Sequence, residues 1–112
     1  MINRLMIAGF GGQGVMMIGK LIGQCAMEQD LNATFFPSYG AEQRGGTANC
    51  TVIQSDRMIG SPTSGRLDVL CALNQPSMVD FLPRLRPGGT LLVNSSIVDV
   101  SAVDRDDIQI VQ

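Results

Sequence analysis

Histidine and tryptophan are absent from this chain, and lysine and tyrosine occur once each, at Lys20 and Tyr39. Without histidine, the side chain most often used as a general base near neutrality is missing. The cysteines, Cys25, Cys50 and Cys71, are odd in number and far apart. They offer neither a disulfide framework nor a C-x-x-C metal or iron–sulfur site. Each lies in an apolar segment and reads as a buried free thiol. There is no basic run and the net charge is −2, so the electrostatic footprint of a nucleic-acid binder is missing. The strongest apolar stretch, Val15 to Met27, is too short for a membrane span and contains Lys20 and Gln24. Met1-Ile2-Asn3-Arg4 leads directly into a strand pattern rather than a signal peptide. The expectation is a cytoplasmic protein with no nucleic-acid or membrane partner, no metal site and no catalytic side chain.

Glycine is abundant, with 13 in 112 residues, and 45% of the chain is hydrophobic, enough for one domain with a core. Two glycine-rich stretches concentrate the polar groups. The first, Gly9-Phe10-Gly11-Gly12-Gln13-Gly14, follows the strand pattern Arg4–Ala8 and precedes Val15, Ile18, Ile22 and Cys25 at helical spacing. In the dinucleotide fingerprint Gly9 permits the turn, Gly11 lets a pyrophosphate approach the backbone, and Gly14 lets the helix pack on the strand. Free N–H groups at a helix start favour an anion, so Gly9, Gly11, Gly12, Gln13 and Gly14 are candidate cofactor-binding residues. Purely structural packing of the glycines is an equal alternative. A nicotinamide site also needs a carboxylate closing the second strand, and Ala33–Phe36 is followed by Pro37-Ser38. Glu28 and Asp30 precede that strand and read as solvated helix-end residues.

The second stretch contains Ser38, Tyr39, Gly40, Glu42, Arg44, Gly45 and Gly46. Three readings stay open: Glu42 and Arg44 brace the loop internally, the loop contacts a neighbouring subunit, or Arg44 and backbone N–H groups hold a phosphate or carboxylate.

The remaining pattern predicts strands at Ala48–Ile53, Leu67–Leu73 and Thr90–Asn94. A turn at Ser55-Asp56-Arg57 leads into Met58-Ile59 as a hairpin. A helix from near Pro76 presents Met78, Phe81, Leu82 and Leu85 to one side and is cut short by Pro83. Pro87-Gly88-Gly89 makes the turn into the strand after it. Gly19 and Gly23, four apart, expose a groove for close approach of a strand or another chain. Asp68, opening the apolar run Leu67–Leu73, can still reach solvent or a loop N–H. Asp104, Asp106 and Asp107 read as a solvated loop. Two strand–helix–strand passes give an α/β fold, a three-layer Rossmann-like domain with a mostly parallel, mixed sheet.

Taken together, Gly9-Phe10-Gly11-Gly12-Gln13-Gly14-Val15, Pro37-Ser38-Tyr39-Gly40-Ala41-Glu42-Gln43-Arg44-Gly45-Gly46-Thr47-Ala48, Ile59-Gly60-Ser61-Pro62, Asp68-Val69-Leu70, Asn74-Gln75-Pro76 and Pro87-Gly88-Gly89 resemble the gamma subunit of the 2-oxoacid:ferredoxin (acceptor) oxidoreductases. The resemblance covers nearly the whole chain. It implies an accessory subunit of a thiamine-diphosphate enzyme that cleaves 2-oxoacids oxidatively, makes acyl-coenzyme A and passes electrons to ferredoxin. The implied partners are catalytic alpha and beta subunits and an iron–sulfur delta subunit or domain. Thiamine diphosphate, coenzyme A and the iron–sulfur clusters belong to the whole complex. The isolated chain is expected to bind none of them alone and to be inactive, serving to shape the assembly and the coenzyme A approach.

Subunits of this family run longer, and Ile108–Val111 reads as the start of a strand. The chain is therefore expected to be a single gamma-type domain over residues 1–112, as a natural short form or as a piece lacking C-terminal elements. Pyruvate, 2-oxoglutarate, a branched-chain 2-oxoacid and an aryl pyruvate all fit as substrate, and no residue here chooses among them. The rival readings are a stand-alone nucleotide-binding Rossmann-like enzyme and a non-catalytic interaction domain.

Overall fold

The computed structural model describes residues 2–10, 14–39, 47–59 and 66–112. Among these, the order is β1 (Ile2–Phe10), α1 (Val15–Glu28), β2 (Asn32–Tyr39), β3 (Thr47–Ser55), β4 (Leu67–Ala72), α2 (Gln75–Phe81), a 3₁₀ turn at Leu82–Arg84, β5 (Leu85–Val93), a second 3₁₀ turn at Val100–Ala102 and β6 (Gln109–Val111). The strands form one sheet in the order β2-β3-β1-β4-β5-β6. β3 is antiparallel to both of its neighbours, β1 and β2, whereas β1, β4, β5 and β6 run parallel. This is the predicted mixed, mostly parallel α/β sheet.

The hairpin differs from expectation. β3 pairs with β2 from Ser55↔Asn32 to Ala48↔Tyr39 and with β1 from Ser55↔Ile2 to Thr47↔Phe10. Both of its hydrogen-bonding edges are occupied, so a strand at Met58-Ile59 has nothing to pair with, and Met58 is 92% exposed. The hairpin is instead β2–β3, closed through residues 40–46.

Alternation along the strands sorts the core into two faces. Ile7, Cys50, Val52 and Phe35 meet Val15, Ile18 and Ile22 of α1 on one side. On the other, Met6, Ala8, Leu70, Ala72, Leu91 and Val93 pack with Met78 of α2, Phe81, Leu82 and Val98. The buried stripe of α1 is Val15, Gly19, Gly23 and Ala26, so small residues let the sheet come close. A Cβ on Gly19 would overlap Cys50 Sγ and lie 2.9 Å from Phe35 Cε1. Close packing is therefore what Gly19 serves. Cys25, expected in the buried stripe, is exposed instead, while Cys50 is buried and Cys71 half-buried.

Chain ends of the helices are decided by specific backbone bonds. After α1, Asp30 N donates to Met27 O at 3.1 Å and Leu31 N to Ala26 O at 3.0 Å, with Asp30 at φ 61. This is a Schellman stop with an aspartate in the left-handed position. Asn74 starts α2, its Oδ1 accepting from Ser77 N at 2.8 Å. Pro83 lies in the 3₁₀ turn that replaces the helix after Phe81, as its missing N–H demands. Pro87-Gly88-Gly89 lies inside β5 as an irregularity: the pairing with β4 jumps from Leu67↔Leu85 to Val69↔Thr90. Gly88 has φ 80 there, and its N–H donates to Asp107 O at 2.6 Å.

Candidate functional site

All parallel strands deliver their carboxyl ends to one edge of the molecule. β2 points the same way as β1, because both are antiparallel to β3. Phe10 pairs with Thr47, and Tyr39 and Gly9 both pair with Ala48. The two glycine stretches, remote in sequence, therefore leave the sheet side by side. Beside them runs the β4–α2 connection, whose Leu73 N donates to Ala8 O at 2.8 Å.

Between β1 and β4 the chain leaves to opposite faces, into α1 from one strand and into α2 from the other. Such a switch point in a parallel sheet opens a crevice at the carboxyl ends, the usual ligand position in open α/β sheets.

Several predicted roles change. Gly9 does not make the turn; it is strand, paired with Ala48, and β1 runs on to Phe10. Gly14 is the N-cap of α1 at φ 80, ψ 16, and a Cβ there meets nothing within 4 Å. It is required for its left-handed backbone, not for close packing of helix on strand. Ser38 and Tyr39 are not loop: they continue β2, held by pairing to Asn49 and Ala48. Ser38 instead lines a groove of about 340 Å³ with Met6, Phe36, Asn49, Thr51 and Arg84. The calls on Gly11, Gly12, Gln13, Gly40, Glu42, Arg44, Gly45 and Gly46 lie outside the described residues.

Other groups of the edge carried no role in the sequence reading. Asn74 and Ser77 are 4% and 0% exposed, and Asn74 Nδ2 and Ser77 Oγ have no hydrogen-bond partner. Gln75 works as a clamp. Its Nε2 donates to Asp99 O at 3.1 Å and its Oε1 accepts from Asp99 N at 2.6 Å. The Asp99 carboxylate in turn accepts from Ser101 N at 2.9 Å; the Ser101 hydroxyl first, and this backbone bond second, hold its pKa below the usual carboxylate value. The clamp shapes a second groove, of about 460 Å³, bounded by Ser95, Ser96, Ile97, Asp99, Val100 and Gln112. The signal available in sequence was Asn74-Gln75-Pro76-Ser77, a helix-start pattern; nothing in it announces the partner of Gln75.

Two charged clusters of the described residues, around Asp68 and around Arg105, brace the fold away from this edge. Asp68, with a side chain 12% exposed, accepts from Arg4 N at 2.8 Å and pairs with Arg86, so its acceptor is met by a strand N–H rather than a loop. Arg105 pairs with Asp107 at 2.9 Å and donates to Leu82 O and Leu85 O at 3.0 and 2.7 Å. Among the described residues no group of three His, Cys, Asp or Glu side chains could hold a metal, and no helix is long and apolar enough to cross a membrane. Burial pushes the thiols of Cys50 and Cys71 up, away from nucleophilic thiolate. Among the described residues of this edge, the polar groups are backbone N–H and C=O, the amides of Asn74 and Gln75, the Ser77 hydroxyl and the Asp99 carboxylate.

The profile of the pyruvate ferredoxin/flavodoxin oxidoreductase family matches residues 4–112. The chain belongs to this family. Within the family it is 44% identical to the ketoisovalerate oxidoreductase subunit VorA of Methanothermobacter marburgensis, over 88% of this chain and 20% of that protein. It is 38% identical to the 2-oxoglutarate synthase subunit KorC of the same organism, over 86% of this chain and 52% of the relative. The chain thus spans about half of KorC and about a fifth of VorA. Among solved structures, the gamma subunit of a keto/oxoacid ferredoxin oxidoreductase from Geobacter sulfurreducens superposes with a TM-score of 0.78 at 31% identity. That match covers 97% of this chain and 59% of the Geobacter subunit. The 2-oxoglutarate:ferredoxin oxidoreductase of Magnetococcus marinus shares the fold, with a TM-score of 0.85 at 22% identity over 97% of this chain and 19% of its own.

Proposed function

We propose that the chain works as the gamma-type part of a multi-subunit 2-oxoacid:ferredoxin oxidoreductase, a complex that decarboxylates a 2-oxoacid oxidatively to acyl-coenzyme A and passes the electrons to ferredoxin. The observation that carries this reading is 31% identity to a gamma subunit over 97% of the chain, joined to the family match over residues 4–112. The partners on this reading are catalytic alpha and beta subunits and an iron–sulfur delta subunit or domain, which hold thiamine diphosphate and the clusters. The absence of histidine and the wide spacing of three cysteines support leaving that chemistry to them.

The carboxyl-end edge is the part of this chain that meets its neighbours. The ends of β1 and β2, from which the Gly9–Gly14 and Ser38–Gly46 stretches continue, lie at this edge because β3 pairs with both strands. Arg44 supplies the only cation of the second stretch, for a carboxylate or phosphate on the catalytic subunits or on coenzyme A. The sheet order argues against a nicotinamide site: the strand beside β1 on the hairpin side is antiparallel β3. No neighbouring parallel strand ends there with a ribose-binding carboxylate.

The test is to assay the purified chain with thiamine diphosphate, coenzyme A, an electron acceptor and a panel of 2-oxoacids, then repeat it with the partner subunits added. The expected result is turnover only in the second case. Turnover by the isolated chain contradicts the proposal.

A further inference from the structure

β2 stands at one end of the sheet order, so among the described residues no strand pairs with its outer side. A proline is tolerated in an edge strand where its missing N–H faces away from the ladder. Pro37 therefore fixes the parity of β2. The N–H and C=O of one residue point to the same side and alternate along a strand, so Ala33 and Phe35 direct theirs outward as well. Their side chains stand on the face that α1 covers, where Phe35 packs with Ile18 and Ile22. Between this edge and α1 runs a groove of about 200 Å³, lined by Lys20, Gly23, Met27, Ala33 and Phe35 among others. A Cβ on Gly23 would meet nothing within 4 Å, and Met27 is 65% exposed. Lys20 is the only charged residue lining the groove. Its Nζ lies 6.0 Å from the centroid of the Phe35 ring, and it has no ion pair among the described residues.

We infer that this edge takes an extended segment of a partner subunit as an added antiparallel strand, a contact separate from the carboxyl-end edge. Antiparallel pairing is slightly the more stable per residue. Residues of the added strand that face Ala33 and Phe35 set their side chains on the α1 face, about 5 Å from those two. The one facing Ala33 enters the groove beside Gly23 and Met27, which calls for a large aliphatic side chain. The one facing Phe35 lies beside Lys20, which calls for a carboxylate. In an antiparallel strand the acid comes first and the aliphatic residue two positions later. A second copy of this chain does not meet these demands. Its own β2 would present Ala33, Phe35, Pro37 and Tyr39 at that parity, none of them acidic. α1 lies over β1, β3 and β2, with its axis one strand inside the edge. Pairing β2 with its copy would hold the two α1 axes three strand spacings apart, about 14 Å, whereas helices in contact stand about 8–10 Å apart.

The inference rests on the gamma-type reading, and residue-resolved hydrogen exchange tests it on the chain alone and in complex with its partner subunits. The outward amides of Ala33 and Phe35 are expected to exchange at least about tenfold more slowly in the complex than in the chain alone. Those of Thr34 and Phe36, of the opposite parity and bonded to β3, are expected to be protected in both. Gly23→Leu fills the groove from a helical position where leucine is favoured over glycine. It is expected to leave the melting temperature of the isolated chain no lower and to weaken assembly at least about tenfold. Unchanged exchange at Ala33 and Phe35 in an assembled complex overturns the inference and leaves the functional reading standing. Protection in the chain alone that grows with its concentration also overturns it, in favour of a second copy. If Gly23→Leu does not fold, the exchange comparison decides alone. A chain that binds none of the partner subunits defeats the functional reading, and this inference with it.

Discussion

Gly19 shows how one residue fixes the distance between layers. With Cys50 and Phe35 against its Cα, an added methyl must push the helix from the sheet. Gly19→Ala is expected to destabilise the chain by about 1–3 kcal/mol, read as a lower denaturant midpoint. Gly14 fails for another reason: Gly14→Ala finds open space but a left-handed backbone, at a cost of about 1–2 kcal/mol. Arg105 joins three segments through Leu82 O, Leu85 O and Asp107. Arg105→Ala leaves two carbonyls short of a donor, and a loss of about 1–3 kcal/mol is expected. The Arg105 guanidinium holds the Asp107 carboxyl below its usual value. A depressed folded-state pKa stabilises the fold above the unfolded-state value of about 3.9 and loses that contribution as pH falls through the folded one. An acid titration of stability should therefore fall less steeply below about pH 4 in Arg105→Ala than in the parent chain. An unchanged acid limb would assign the protonation to other carboxylates.

At the scale of elements, much of the fold was legible. Apolar runs located β1, β4 and the core of β5, and Pro83 marked the end of α2. Local pattern missed what depends on partners. β2 looks finished at Phe36, yet pairing with β3 carries it through Pro37 to Tyr39; the lack of an N–H at Pro37 is tolerated because β2 is an edge strand. The turn at Ser55-Asp56-Arg57 was visible, but not that both edges of β3 were already taken. The candidate site was legible as two glycine stretches and illegible as one place, since it is sheet order that brings the ends of β1 and β2 to one edge. The Gln75 clamp on Asp99 spans 24 residues and left no local trace. Gln75→Ala is expected to loosen residues 95–100 without unfolding the sheet, which hydrogen exchange would register as lost protection confined to that segment. Global loss of protection would contradict the clamp's local role.

At the scale of the whole molecule, β1, β2, β4, β5 and β6 bring their carboxyl ends to one edge of the sheet. With antiparallel β3 beside β1, NAD and NADP are expected to give no micromolar calorimetric binding; such binding, abolished by a bulky replacement of Gly11, would restore the stand-alone nucleotide-binding reading. On the gamma-type reading proposed above, this domain works by being docked to other subunits. The most direct test compares Arg44→Ala, in the glycine-rich stretch that follows β2 in sequence, with Arg57→Ala, an exposed residue past the end of β3. For each, the melting temperature of the isolated chain and the affinity for its partner subunits are measured. A cation whose counterpart lies on another subunit adds little to the isolated fold, about 0–1 kcal/mol, but truncating a buried interfacial pair costs on the order of 2–5 kcal/mol. The account predicts that Arg44→Ala weakens assembly with its melting temperature nearly unchanged, while Arg57→Ala alters neither. Equal assembly by both variants, or a large fall in melting temperature for Arg44→Ala with assembly intact, would contradict it.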